Sequence, residues 1–400
     1  MTGVMSLEEG GRVDFTRLRQ ERRRILFDAM DAAGIEVLVL GRPANVRYAS
    51  GARQLWRTGA NPFAPMCVVI RATEKVHLLS SWDEGVPPEI GREDLYGLFW
   101  DPAHLIGALR DIPGLVPARR VGTDSLTPFF GRVLRDLVPA LELVDASPSL
   151  QRARAHKTAD EIAAIEVAVS LAEAGLAALE EALRPGITER ALLGAYLEAV
   201  ARLGAPTPPS ESVVFATPLN GPVRFRYLAD DRTIGQGELV VLAPGALYAG
   251  YEGGLARTRT AGAAPSPAAR ALANRCRHAL DALVGACRAG NTGADFYRAW
   301  DSTGEPPAEI ALATGVGLGT EAPLVGFGRG AEARLEEGAV LSVAAWVCEE
   351  GTGGFLLRDV VRIGEDDPEL LTRSDRSDRS DRSDRSDRSD RSDRSERQAQ

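Results

Sequence analysis

Gly237-Glu-Leu-Val-Val-Leu-Ala-Pro-Gly-Ala-Leu-Tyr-Ala-Gly-Tyr251 is the stretch that decides the fold. Its apolar run at 239–242, bounded by turn residues, has the pattern of a buried strand. Further strand-like segments lie at 212–215, 256–261, 340–343 and 355–361. Helices are interleaved with them. Thr158-Ala-Asp-Glu161 is a capping-box pattern that opens an Ala/Leu/Glu-rich helix to about 183, closed by Arg184-Pro-Gly186. Helices at 188–203 and 266–289 follow. This order predicts an α+β domain with a mainly antiparallel sheet.

Upstream the pattern differs. Residues 14–34 carry Phe15, Leu18, Ile25, Leu26 and Met30 at helical spacing, with Gly34 as the C-cap. Strands are predicted at 37–40, 67–70 and 76–79. The segments 105–109, 120–122 and 141–144 continue an alternation of helix and strand, which is α/β by element order. The texture changes near 148–157. From Arg373 the chain is a tandem Arg-Ser-Asp repeat with no apolar residue until Ala399. Such a segment cannot bury surface and is predicted to be disordered. It reads as a slipped triplet repeat, or as an interaction tag if its serines are phosphorylated. The predicted organisation is 14–147 (α/β), 150–366 (α+β) and a disordered tail at 372–400.

The chain has 400 residues, which suits two or three domains. Its net charge of -9 excludes a general nucleic-acid binder, and because the repeat alternates charge, that excess belongs to the core. There are 4 histidines and 4 cysteines, few for a metal or acid–base enzyme. The cysteines form no CxxC pair, and Cys276 and Cys287 stand too far apart on one helix for a disulfide. They read as buried hydrophobes, with a catalytic Cys276 beside His278 left open. Acids interrupt the N-terminal segment where a signal peptide needs an apolar core. No apolar run approaches a membrane span, so a cytoplasmic protein with no membrane partner is expected. Arg22-Arg23-Arg24 reads as a solvated helix face between Glu21 and Asp28. Trp56, with Arg53 and Arg57, reads as a loop aromatic at an interface or under cover. Gly315-x-Gly317-x-Gly319 lacks the third glycine of a phosphate loop and reads as a glycine turn.

Several blocks resemble, in order, the methionine aminopeptidase, Xaa-Pro dipeptidase and creatinase family. Gly237–Tyr251 with Arg257-Thr-Arg-Thr260 resembles its central strand pair. Thr314-Gly-Val-Gly-Leu-Gly-Thr-Glu-Ala-Pro323 resembles its His-Gly-x-Gly-Leu segment and the Glu-x-Pro beyond. Glu336-Glu-Gly-Ala-Val-Leu-Ser-Val343 resembles the strand "Pro-Gly-Met-Val-x-Ser-Val-Glu-Pro", and Gly353-Gly-Phe-Leu-Leu-Arg-Asp359 resembles "Gly-x-Arg-x-Glu-Asp". The resemblance is strong over about 150–370 and weaker over 14–147, the creatinase/prolidase N-terminal domain. It implies the pita-bread fold and a homodimer.

It also implies a dinuclear metal site of two aspartates, one histidine and two glutamates. Those positions hold Ala243, Gly254, Thr314, Ala344 and Arg358. Four lack any charged or imidazole donor, and arginine is a permanent cation that cannot ligate a metal. No metal or other cofactor is therefore expected. A family histidine falls near Arg226, and another is replaced near Thr320, leaving Glu321. A cationic pocket is expected from Arg224, Arg226, Tyr227, Glu252, Thr320, Arg358 and Asp359, suited to a small anionic ligand. Alternatively Arg358 fills the vacated site by pairing with Asp359, Glu252 or Glu321. The leading expectation is a pseudopeptidase acting by binding. The second is a metal-independent, creatinase-like hydrolase of an amidino or amide substrate that uses Glu321, Arg226 and Arg358. The third is the aminopeptidase or dipeptidase that the family implies.

Overall fold

The computed structural model describes residues 11–52, 67–79, 85–97, 102–124, 127–138, 140–205 and 212–376. Trp56, Arg53, Arg57 and the repeat beyond Arg376 lie outside them. The chain divides into two compact units, Met1–Ala164 and Ile165–Gln400. The division falls inside a helix, a few residues after the change of texture at 148–157.

The first unit begins with α1 (Phe15–Ala33). Asp14 caps it by accepting the Arg17 amide, and Gly34 ends it with φ +63°, a conformation that glycine adopts without penalty. There follow β1 (Val37–Leu40), α2 (Pro43–Ser50), β2 (Cys67–Ile70), β3 (Lys75–Leu79), β4 (Leu95–Tyr96) and α3 (Pro102–Asp111). The unit closes with β5 (Arg120–Thr123), α4 (Pro128–Leu137), β6 (Glu142–Asp145) and α5 (Ser147–Ala155). The sheet order is β4-β3-β2-β1-β5-β6, with β1, β5 and β6 parallel and β1, β2 and β3 antiparallel. β1 and β2 are buried at every position, as their continuous apolar runs require.

Arg22 corrects the expected solvated face. It is 2% exposed and its guanidinium lies 5.6 Å from the Tyr48 ring centroid, while only Arg24 of the triplet is fully exposed. The helix keeps its apolar period, and the long stem of Arg22 travels with that buried stripe.

α6 (Ala159–Ala182) opens on the predicted capping box. The Thr158 amide donates to Glu161 and the Glu161 amide to the Thr158 hydroxyl, at 2.9 and 3.3 Å. By length and composition α6 would also suit a membrane span, but Ile165, Ala168, Val169, Ala172, Leu176 and Leu179 are buried in the fold. Next come α7 (Glu189–Arg202), β7 (Val213–Thr217), β8 (Leu239–Ala243), β9 (Gly245–Tyr248), β10 (Tyr251–Gly254), β11 (Arg257–Thr260), α8 (Pro267–Gly285) and α9 (Gly293–Asp301). The last strands are β12 (Ala313–Gly317), β13 (Gly319–Val325), β14 (Val340–Glu349), β15 (Gly353–Arg362) and β16 (Glu369–Leu370). All three sheets, β11-β8-β7, β10-β9 and β13-β12-β14-β15-β16, are antiparallel. α8 and α9 cover the five-stranded sheet through a core that includes Leu272, Cys276, Leu280, Phe296, Trp300, Leu341 and Leu357.

The disordered tail expected from 372 needs correction at its start. Thr372 is 8% exposed, and Arg376 donates to Asp359 through Nε at 2.6 Å. A buried carboxylate offers Arg376, the first residue of the second repeat unit, what the polar composition could not, a charged partner out of water.

Candidate functional site

β14 and β15 place Ala344 opposite Arg358, and β12 places Thr314 opposite Ser342. β10 brings Glu252 and Gly254 alongside. Together with Gly315, Val316, Thr320 and Val360, these strands enclose a cavity of about 20 Å³ lined by Glu252, Gly254, Thr314, Ser342 and Arg358. That volume admits roughly one water-sized body, so an oxyanion would place a single oxygen in it beside Arg358. Arg358 is the one cation of the lining and Glu252 the one anion; hydroxyls, glycine and valine make up the remainder. Of the candidates from sequence, the fold thus gathers Glu252, Gly254, Thr314, Thr320 and Arg358.

Close backbone packing fixes one wall. A Cβ on Gly253 would stand 2.3 Å from the amide nitrogen of Val169 and 2.4 Å from the carbonyl carbon of Ala168. β10 therefore lies directly on α6, and Glu252 and Gly254 take their places from that contact.

The other candidates lie elsewhere. Ala243 and Ala344 are buried in an apolar cluster with Phe215, Ile310 and Trp346. Glu321 accepts the Leu318 amide at 3.0 Å across the β12–β13 turn, and it is not among the lining residues. Arg226 is paired with Glu189 and, at 2.9 Å, with Asp230, and its guanidinium stands 5.5 Å from the Phe215 ring centroid. Arg224 is exposed, and Tyr227 is 59% exposed against Phe225.

Asp359 corrects the expected pairing with Arg358. Successive side chains in a strand point to opposite faces, so the two cannot share one cavity. Asp359 instead accepts from Arg257 Nη2 at 2.8 Å, Thr372 Oγ1 at 2.8 Å and Arg376 Nε at 2.6 Å. Burial pushes its pKa up, but the guanidiniums of Arg257 and Arg376 and the Thr372 hydroxyl hold it below the usual aspartate range. Burial pulls the Arg257 pKa down against the attraction of Asp359.

Sequence reasoning missed two residues that organise this region. Arg257 is 1% exposed, and its five N–H donors reach Asp359 and the carbonyls of Ala256, Arg358, Ser374 and Asp375. Glu189 is fully buried and accepts the Ala216 amide at 2.9 Å and the Asp230 amide at 3.2 Å besides Arg226. The signal for the first was Arg257-Thr-Arg259, two cations at strand period. Arg259 meets Glu180 at 2.7 Å.

The chemistry follows from this donor set. Among the described residues, no three His, Cys, Asp or Glu side chains come close enough to hold a metal ion. The residues of this cavity, one carboxylate facing hydroxyls and a guanidinium, do not fit the dinuclear centre that the resemblance implies. The Cys276–His278 option is corrected: Cys276 is buried, donates its thiol to the carbonyls of Ala345 and Phe355 at 3.2 and 3.3 Å, and has its pKa pushed far up by burial.

If Glu321 only fastens the hairpin, Glu321→Gln keeps an acceptor for the Leu318 amide. A stability change of under about 0.5 kcal/mol is then expected, read as the urea midpoint. A loss of about 2 kcal/mol or more would show that its charge is required.

Comparison with known proteins places these observations. The model of metallopeptidase family M24 matches residues 163–365, and that of the creatinase/prolidase N-terminal domain matches 22–156. A creatinase from Bacillus sp. is 25% identical over 397 residues, covering 92% of this chain and 94% of that protein. An Xaa-Pro dipeptidase from Pyrococcus horikoshii is 24% identical over 370 residues, covering 90% and 99%. Among solved structures, an Xaa-Pro dipeptidase from Bacillus anthracis superposes with a TM-score of 0.72 at 20% identity, covering 90% of this chain and 99% of that one.

Proposed function

Because the chain belongs to metallopeptidase family M24, preceded by a creatinase/prolidase N-terminal domain, we propose that it is a pseudopeptidase, a member without the family's metal chemistry that acts by binding a small anionic ligand. The observation that carries this reading is Arg358, the one cation lining a cavity whose other polar walls are Glu252, Thr314, Thr320 and Ser342. A guanidinium offers several N–H donors to a carboxylate or similar oxyanion. The positions that would hold metal by resemblance are alanine, glycine, threonine and arginine. The proposal includes a homodimer, which sedimentation of the purified chain would test, and a cytoplasmic location, which fractionation of cells would test.

Calorimetric titration with acetate and phosphate tests the binding. The expected result is saturable binding by the wild-type chain that is at least tenfold weaker in Arg358→Ala. Equal binding by both proteins would remove Arg358 from the account.

A second reading is hydrolysis, and the names of the relatives favour it. The creatinase and the Xaa-Pro dipeptidase each cover most of the chain. In this reading Glu252, the one carboxylate of the lining, would move a proton and Arg358 would hold the substrate, without metal. A screen against amidino, amide and Xaa-Pro substrates separates the two. Turnover that disappears in Arg358→Ala and Glu252→Gln would favour hydrolysis, and absence of turnover on all three classes favours binding.

A further inference from the structure

The repeat that fills the C-terminus contains one unit unlike the others. Seven Arg-Ser-Asp triplets and one Arg-Ser-Glu run from 373 to 396, but only the first follows Leu371-Thr372; each later triplet follows an aspartate. The first unit is built into the fold. The amides of Arg373 and Ser374 both donate to Glu173 Oε1, at 2.5 and 2.7 Å. The carbonyls of Ser374 and Asp375 accept from Arg257, at 2.9 and 3.1 Å. Arg376, which opens the second unit, spans Asp359 and Asp281. Thr372 donates to the Asp359 oxygen that Arg257 also uses.

We propose that Glu173, Asp281, Asp359 and Arg257 form a peptide-binding site whose resident ligand is Thr372–Arg376, and that its occupancy holds Arg358 in place. The register is fixed by charge. A slip of one triplet would bring Asp375 to the position of Thr372, setting a second carboxylate against the buried Asp359 in place of a hydroxyl donor. The later units therefore cannot replace the first.

The link to Arg358 is direct and made of hydrogen bonds. Arg257 Nη1 donates to the Arg358 carbonyl at 2.8 Å, while its Nη2 and Nε hold Asp359 and the Ser374 and Asp375 carbonyls of the segment Thr372–Arg376, a strap across the site. Arg358 and Ala256 exchange both backbone bonds, at 3.1 and 3.2 Å, as an isolated bridge between the sheets. Losing the strap leaves Arg257 with fewer partners at the bridge that supports the cavity-lining cation. The inference is independent of whether the cavity binds or hydrolyses its ligand.

Hydrogen exchange on full-length protein tests it, read at the Ala256 and Arg358 amides. Arg376→Ala and Thr372→Asp should each speed exchange there by about tenfold, the effect of losing a charged hydrogen bond. Arg379→Ala, one unit further on, should change nothing. Methylguanidinium should restore protection to Arg376→Ala, where methylammonium at equal ionic strength does not, because only the planar fork spans two carboxylates. Unchanged exchange in Arg376→Ala, or equal loss in Arg379→Ala, overturns the proposal. If Arg376→Ala does not fold, Arg376→Lys keeps the charge without the fork. Faster exchange at the two amides alone then supports the site, and wild-type exchange or a uniform rise across 165–376 overturns it.

Discussion

Asp359→Ala is expected to cost about 3–5 kcal/mol of stability, the loss that follows when one member of a buried ion pair is removed. Asp359 and Arg257 are each 1% exposed at 2.8 Å separation, so the arginine would be left as a buried charge without its carboxylate. Thr372 and Arg376 lose the same acceptor. Asp359→Asn keeps the shape and one acceptor oxygen, and its urea midpoint should fall between those of wild type and alanine. The pH dependence has a definite sign. The folded pKa lies below the ordinary aspartate value, so unfolding takes up a proton in acid. The stabilisation is complete above about pH 4, the unfolded aspartate's range, and is lost as pH falls through the lower folded value. The gap between wild type and Asp359→Asn should therefore narrow in acid. A gap that stays constant from pH 7 to pH 3 would mean that the charge of Asp359 is not what the fold uses.

Gly253→Ala is the second large effect, expected at about 1–3 kcal/mol from overpacking. The added carbon would meet main chain, the Val169 nitrogen at 2.3 Å and the Ala168 carbonyl carbon at 2.4 Å, and main chain cannot rotate aside as a side chain can. Either β10 or α6 must shift. Because β10 also carries Glu252 and Gly254 into the cavity wall, the same substitution should weaken acetate binding. Gly186→Ala offers a comparison, since a Cβ there meets nothing within 4 Å and only its φ of +88° is strained. Equal midpoints for Gly253→Ala and wild type would show that the two elements are not in fixed contact.

These sites differ in how far the sequence revealed them. The apolar run at 239–242 became β8 because a short hydrophobic segment between turn residues has few other stable uses. The capping box at Thr158 marked the start of α6, since its signal is local and chemical. The β12–β13 hairpin was visible only as a glycine turn. Its glycines answer close cross-strand contacts within the hairpin: a Cβ on Gly315 would lie 2.3 Å from the Ala322 carbonyl oxygen, and one on Gly317 would lie 2.1 Å from the Glu321 carboxylate. Neighbours in sequence misled at Arg358 and Asp359, which strand alternation sends to opposite faces. The strap was hidden by its composition. A polar repeat reads as disordered until a buried carboxylate elsewhere in the chain is known to need a cation.

The metal content of the full-length protein tests the central claim most directly. After reconstitution with manganese, cobalt and zinc in turn and removal of free ions, the account expects no stoichiometric metal, with no Xaa-Pro dipeptide hydrolysis that a chelator can abolish. Two tightly held ions per chain, with chelator-sensitive hydrolysis, would contradict it.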